Sequence, residues 1–131
     1  MSVLYSTDFT ATWLDDRQLW EVYKAIPFRW RDKKYEVPVG TRSDLCSIPR
    51  VPILYLFLGG RYKTEGIVHD WLYQTGLMSK DEADRCLYVM IVEHSGRPFL
   101  GAIYYQGVKR FGWKAWNEHR SRDNGRNYPE R

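Results

Sequence analysis

The strongest constraint on the fold is a pair of helical segments joined by only a few residues. The first segment starts near Thr64, a good N-cap residue, and ends at Gly76, a residue typical of helix C-termini. The second opens with Ser79 and Glu82 in the spacing of a capping box, in which each residue satisfies a backbone donor of the other. Two helices with so short a connection must run antiparallel as a hairpin.

In this hairpin, His69 on the first helix and Asp84 on the second lie at similar positions along the helix axes and can face each other. A histidine that a carboxylate orients can act as a general base, and the adjacent Asp70 can hold a metal ion beside it. Tyr73 shares a helix face with His69 and Asp70, so its hydroxyl can bind a carboxylate. The same four side chains can instead form a buried structural network, and the residues alone leave both interpretations open.

Asp44 is the natural second ligand for a cation held by Asp70. It lies in a turn-rich stretch just before Ser47, where backbone carbonyls are expected to be available. Carboxylate and carbonyl oxygens make a hard site that suits Ca²⁺ rather than zinc. The alternative is that Asp44 caps its own turn while Asp70 pairs with Arg50 or Arg61. Ser47 lacks the Gly-x-Ser-x-Gly setting of a nucleophilic serine.

The first part of the chain reads as β-strands. Phe28 and Trp30 alternate with polar residues, and Tyr35 and Val37 do the same after a polar turn. Alternation on both sides of a turn is typical of a β-hairpin. The sequence therefore predicts antiparallel strands ahead of the helices.

The last part of the chain adds a third helix, which begins at Pro98 and is ended or bent at Gly112. From Asn117 onward the sequence is polar and predicts a loose tail. We therefore expect one α+β domain, in which a small N-terminal antiparallel sheet packs on a C-terminal three-helix unit that contains the His/Asp hairpin. Its parts are mainly strands in residues 1–48, helices in residues 61–116 and the loose tail in residues 117–131.

The net charge of +4 is concentrated near the end of the chain. Residues 97–131 carry eight Lys or Arg and three Asp or Glu, so this part is +5 and the remainder is −1. Such a region can favour an anionic surface, although the excess is too modest to make nucleic acid a favoured partner. The apolar run Ile53–Leu58 predicts either a short buried helix or an exposed docking patch.

Two cysteines, Cys46 and Cys86, are too few for a disulfide framework or a zinc site. The first residues lack the basic start and apolar core of a signal peptide, and no run approaches the ~20 apolar residues of a membrane span. We therefore expect a protein that is made in a cytoplasm without a standard export signal.

Six short motifs follow one another in the chain: Val37–Gly40, Ser43–Arg50, Gly60–Tyr62, His69–Tyr73, Ala83–Asp84 and Tyr105–Gly112. Their order and spacing resemble those of a family of short proteins of unknown function from tailed bacteriophages and prophages. The chain resembles that family over about residues 37–116, with Ser43 for Thr and Cys46 for Ala as mild departures. The resemblance implies a virion or tail protein, made in the host bacterial cytoplasm, whose partners are other phage virion proteins.

A more distant resemblance links the helix hairpin to secreted phospholipase A₂, especially its short prokaryotic form. That enzyme has a His-Asp-x-x-Tyr helix, an Asp on an antiparallel helix, and an upstream Asp-x-Cys-Ser segment followed by proline, which residues 44–49 resemble. The chain departs from it in lacking the disulfides and the glycine-rich calcium loop of the animal enzymes. His69 and Asp84 are also closer in sequence than in those enzymes.

The resemblance to phospholipase A₂ implies a role for each candidate site residue. His69 would activate water, Asp84 would orient His69, Asp44 and Asp70 would bind Ca²⁺, Tyr73 would brace the carboxylates, and Ser47 and Arg50 would support the site. These roles predict a Ca²⁺-dependent hydrolase of phospholipid esters that contacts membrane lipid. The alternative prediction is a non-catalytic structural or assembly component of the phage particle, in which the same residues form a buried hydrogen-bond network.

Overall fold

The computed structural model describes residues 4–6, 10–15, 19–43 and 62–124 of the chain. Six strands precede four helices within these ranges, which confirms the predicted α+β class. The strands are β1 (Leu4–Tyr5), β2 (Ala11–Leu14), β3 (Leu19–Val22), β4 (Ile26–Trp30), β5 (Lys33–Val37) and β6 (Arg42–Ser43). The helices are α1 (Lys63–Thr75), α2 (Lys80–Ser95), α3 (Pro98–Phe111) and α4 (Trp113–Asn124).

The described strands form two three-stranded antiparallel sheets rather than one. The first has the order β1-β4-β5 and the second has the order β2-β3-β6. β4 and β5 form the predicted hairpin, and its tight turn places Arg31 and Asp32 at positive φ angles of 50° and 64°. Two consecutive residues of this kind are typical of a type I′ turn, whose twist matches that of the strands.

Helix α1 packs against the sheets through an apolar side that is wholly buried. Ile67, Val68 and Leu72 are each 0% exposed. The ring of Trp71 meets that of Phe28 on β4 edge to face, with 6.1 Å between the centroids. Burial of these large side chains fixes α1 on the sheets.

The end of α1 and the start of α2 lie where the sequence predicts them, but the start of α1 does not. Gly76 ends α1 in the left-handed conformation, and the hydroxyl of Ser79 accepts a hydrogen bond from the Glu82 amide at 3.2 Å. The prediction of Thr64 as N-cap is wrong. The helix begins at Lys63, because the carbonyl of Tyr62 already accepts from the Gly66 amide.

The prediction of a loose tail from Asn117 is wrong for residues 117–124, which belong to α4. Tertiary contacts explain why so polar a segment is helical. The ring of Trp116 packs on Tyr73 with centroids 5.3 Å apart, and Arg120 donates to the carbonyl oxygens of Tyr73 and Gln74. The helical part therefore has four helices in the described residues, not the predicted three.

The described ranges do not include residues 44–61 or 125–131. The Ile53–Leu58 run, for which the sequence left two interpretations open, therefore lies outside them. None of the helices that the structure describes combines the length and the apolar character needed to cross a bilayer.

Candidate functional site

The antiparallel helices α1 and α2 bring His69 and Asp84 into contact, as the hairpin predicts. His69 Nε2 lies 2.8 Å from Asp84 Oδ1, and the two side chains are 0% and 1% exposed. The pair therefore lies in the interior, between the facing sides of the two helices. The predicted contact is confirmed, whereas the catalytic roles of the two residues stay predictions.

Two further donors complete the shell around the Asp84 carboxylate. The hydroxyl of Tyr73 donates to Oδ1 at 2.7 Å, so it binds Asp84 as the sequence suggested for a carboxylate. The ammonium group of Lys80 donates to Oδ2 at 2.8 Å. One oxygen thus accepts from two groups on α1, and the other accepts from the first residue of α2.

Lys80 joins this cluster to the end of α3. Its Nζ also donates to the carbonyl oxygens of Val108 at 2.9 Å and Lys109 at 3.3 Å, and it lies 4.7 Å from the centroid of the Trp113 ring. Lys80 is only 5% exposed. We call the set formed by His69, Tyr73, Lys80 and Asp84 the Asp84 network, and it connects three helices.

The charges in the Asp84 network follow from its hydrogen bonds. Burial raises the pKa of Asp84, but the hydrogen bonds from His69, Lys80 and Tyr73 outweigh burial and hold the pKa below its ordinary value. Burial, together with the neighbouring Asp84 charge, raises the pKa of Tyr73. At neutral pH Asp84 is therefore a carboxylate, and Tyr73 is a neutral donor.

An ionised carboxylate accepts hydrogen bonds and cannot donate them. The Nε2 atom of His69 must therefore carry the hydrogen that it shares with Asp84. The other ring nitrogen, Nδ1, is buried and has no hydrogen-bond partner among the described residues. This is the atom that a general base would use, because Asp84 occupies the opposite side of the ring.

Asp70, the neighbour of His69 on α1, is buried and contacts β6. It is 3% exposed, and its Oδ2 accepts from the hydroxyl of Ser43 at 2.7 Å. Sequence reasoning missed this bond, since Ser43 and Asp70 are far apart in the chain. The contact fixes the end of the second sheet to α1.

The proposed calcium site is only partly within the described ranges. The predicted ligand Asp44, the supporting residues Ser47 and Arg50, and the alternative partner Arg61 lie outside them. No group of three or more His, Cys, Asp or Glu side chains in the described ranges can hold a metal ion. The Ca²⁺ site therefore stays a prediction.

A second buried carboxylate, which the sequence analysis missed, joins the start of α1 to the end of α2. Glu65 is 0% exposed, and its Oε2 accepts from the Tyr5 hydroxyl at 2.5 Å and lies 2.6 Å from His94 Nδ1. The ring of Tyr62 packs edge to face on His94, with 5.1 Å between centroids. The sequence signal was a lone acidic residue next to the fully apolar stretch that follows it in α1.

Comparison with known proteins gives a family but no activity. A sequence model of a family of proteins of unknown function matches residues 20–108, which is more than half of the chain. This range includes every residue of the Asp84 network. No curated protein and no solved structure matches the chain.

Proposed function

The chain belongs to the family described as protein of unknown function DUF1353, and we propose that it is a non-catalytic structural or assembly component of a tailed-phage particle. The single observation that carries the non-catalytic part is the complete pairing and burial of Asp84. The phage setting is supported by the resemblance of residues 37–116 to short phage and prophage proteins.

The geometry of Lys80 opposes general-base catalysis by His69. A catalytic histidine becomes positively charged when it removes a proton from water, and its carboxylate partner stabilises that charge. Here the Asp84 carboxylate already neutralises the ammonium group of Lys80 at 2.8 Å. A second positive charge on His69 would share the same carboxylate with Lys80, in a site that water does not reach.

The Asp84 network is well suited to fixing helix positions. His69 and Tyr73 come from α1, Lys80 and Asp84 come from α2, and the carbonyl oxygens that bind Lys80 come from the end of α3. A buried carboxylate whose two oxygens are both hydrogen-bonded favours one arrangement of the helices over alternatives. The result is a rigid helical unit, which is what a particle component needs in order to present a defined surface.

A second candidate function, a Ca²⁺-dependent phospholipid hydrolase, is favoured by one specific observation. His69 Nδ1 is buried and has no partner in the ranges that the structure describes. In the phospholipase-like assignment this nitrogen would take a proton from water. The candidate also needs Asp44, which lies outside those ranges.

A paired assay separates the two functions. Wild-type protein and His69→Gln are incubated with phospholipid in the presence of Ca²⁺ or a chelator, with a secreted phospholipase A₂ as positive control. The structural proposal predicts no Ca²⁺-dependent release of fatty acid by wild type, and a lower urea midpoint for His69→Gln. Turnover by wild type that His69→Gln loses while its folding is intact would establish the hydrolase instead.

The particle setting has its own test. Mass spectrometry of purified virions from the phage that encodes the gene should detect the chain at a stoichiometric level. Deletion of the gene should give incomplete or fragile particles. Infectious, structurally normal virions without the protein would refute the role in assembly.

A further inference from the structure

Helix α3 carries apolar side chains on its outer face, away from the core. Phe99 is 79% exposed and Phe111 is 61% exposed, and Trp113 just beyond the helix is 52% exposed. Ala102 and Ile103 lie between the two phenylalanines and line a shallow groove with them, with a volume of about 450 Å³. We call this surface the α3 face.

Positive charges flank the α3 face at both ends. Arg97 precedes the helix, Lys109 and Arg110 lie in its last turn, and Lys114 follows in α4; all four are exposed. The sequence from Gly96 to Asn117 contains no Asp or Glu. The cations at both ends of this apolar face are complementary to a surface that is apolar inside and anionic outside, although Asp81 of α2, which accepts from Tyr105 of α3, also lies beside the helix.

We propose that the α3 face is a peripheral membrane-binding surface that binds an anionic phospholipid bilayer. Exposed Phe and Trp side chains enter the boundary between headgroups and acyl chains, and Lys and Arg side chains contact the lipid phosphates. Nucleic acid would use the cations but would leave the apolar groove empty.

This inference is independent of the Asp84 network, because no residue of the α3 face belongs to it. Binding to lipid requires no hydrolysis. Failure of the proposed particle role would leave the membrane surface standing, and the reverse also holds.

Vesicle co-sedimentation tests the proposal directly. Wild-type protein is mixed with phosphatidylcholine vesicles that either contain or lack phosphatidylglycerol, at low and high salt. We expect binding to the anionic vesicles at low salt, and a large loss at high salt, since salt screens the charges. No binding to anionic vesicles, or equal binding to both kinds, would overturn the proposal.

Variants with matched controls assign the binding to the α3 face. The double substitution Lys109→Gln/Arg110→Gln should weaken binding by roughly thirtyfold, since each cation near the bilayer contributes about fivefold. Phe99→Ser should weaken it by about tenfold or more, because an aromatic side chain no longer enters the lipid. The control pair Lys33→Gln/Lys34→Gln on exposed positions of β5 removes the same charge and should have little effect.

A second control addresses the apolar contribution and another occupant of the face. Val39→Ser changes an apolar residue that is 62% exposed and lies far from α3 in sequence, and it should bind like wild type. Circular dichroism should show that all variants are folded, since every substituted side chain is exposed. Retained binding in Phe99→Ser and the α3 double variant would overturn the proposal. So would a wild-type dimer that Phe99→Ser converts to monomer, because a second copy would then cover the face.

Discussion

Replacing Lys80 with methionine should strongly destabilise the protein. The substitution keeps the approximate length of the side chain, but removes the ammonium group that binds Asp84 and the carbonyl oxygens of Val108 and Lys109 and that lies over the Trp113 ring. Asp84 then remains a carboxylate at 1% exposure without its cation. Loss of one member of a buried ion pair is costly because the other charge is left unpaired in the interior.

The expected loss is about 3–5 kcal/mol in the free energy of unfolding. Domains of this kind have total stabilities of about 5–15 kcal/mol, so Lys80→Met removes a large share. In urea the midpoint should fall by more than about 1 M at an unchanged slope. Combining Lys80→Met with Asp84→Asn should cost less than the sum of the two single changes, because the double variant buries no unpaired charge.

Helix α2 provides a control with the same residue spacing. Asp81 and Arg85 form an ion pair four residues apart, with N–O distance 2.7 Å, but both side chains are 55% exposed. Arg85→Met should hardly change the urea midpoint, because water screens exposed pairs. Equal midpoints for Lys80→Met and Arg85→Met would refute the claim that burial makes the Lys80–Asp84 pair important.

Three further predictions concern single groups. The folded-state pKa of Asp84 lies below its ordinary value, so the stability that Asp84 contributes is present at neutral pH and is lost as pH falls below about 4. The free energy of unfolding should therefore fall less steeply with decreasing pH in Asp84→Asn than in wild type. An equal dependence on pH in the two proteins would contradict the assignment. Gly112→Ala should cost about 1–3 kcal/mol in urea unfolding, because the added Cβ would overlap the hydroxyl of Tyr73 and the carbonyl oxygen of Val108. The cost of Gly112→Ala should be smaller when it is measured in a Tyr73→Phe background, and an unchanged cost would exclude the Tyr73 hydroxyl as a cause. Burial raises the pKa of the Cys86 thiol to about 12, so this thiol should be unreactive in the folded protein. In a Cys46→Ser background, a thiol reagent at pH 8 should therefore label the protein only after denaturation. Rapid labelling of the native protein would show that Cys86 is accessible.

The parts of the site that the sequence predicts are those set by local signals. Gly76 and Ser79 mark the end of one helix and the start of the next, and the short connection between them enforces the antiparallel pairing. That pairing brings His69 to Asp84, and the four-residue spacing brings Tyr73 to the same carboxylate. No long-range information was needed for these contacts.

Lys80 could not be recognised in this way. A lysine in the first turn of a polar helix start is ordinarily solvated, so the local sequence does not single Lys80 out. Its burial depends on Val108 and Trp113, which are 28 and 33 residues further along the chain. The spacing of Lys80 and Asp84 was visible, but an exposed i,i+4 pair such as Asp81–Arg85 has the same pattern.

The polar segment 117–124 shows a similar limit. Its composition gives no apolar stripe, so it predicts a tail, yet two contacts with α1 hold it as a helix. Trp116 packs on Tyr73, and Arg120 lies 4.5 Å from the Trp116 ring centroid while it donates to backbone oxygens of α1. Tertiary contacts here override the local preference.

The position of Arg120 near the end of the chain has a genetic consequence. Its guanidinium donates to the carbonyl oxygens of Tyr73 and Gln74 in the last turn of α1. Carbonyl groups at a helix C-terminus generally need partners from outside the helix. A premature stop codon after Phe111 would remove these donors and the Trp116 ring that packs on Tyr73. A stop codon after Asn124 would leave all of these contacts in place. Nonsense alleles on the two sides of α4 should therefore differ sharply in the amount of folded protein they yield.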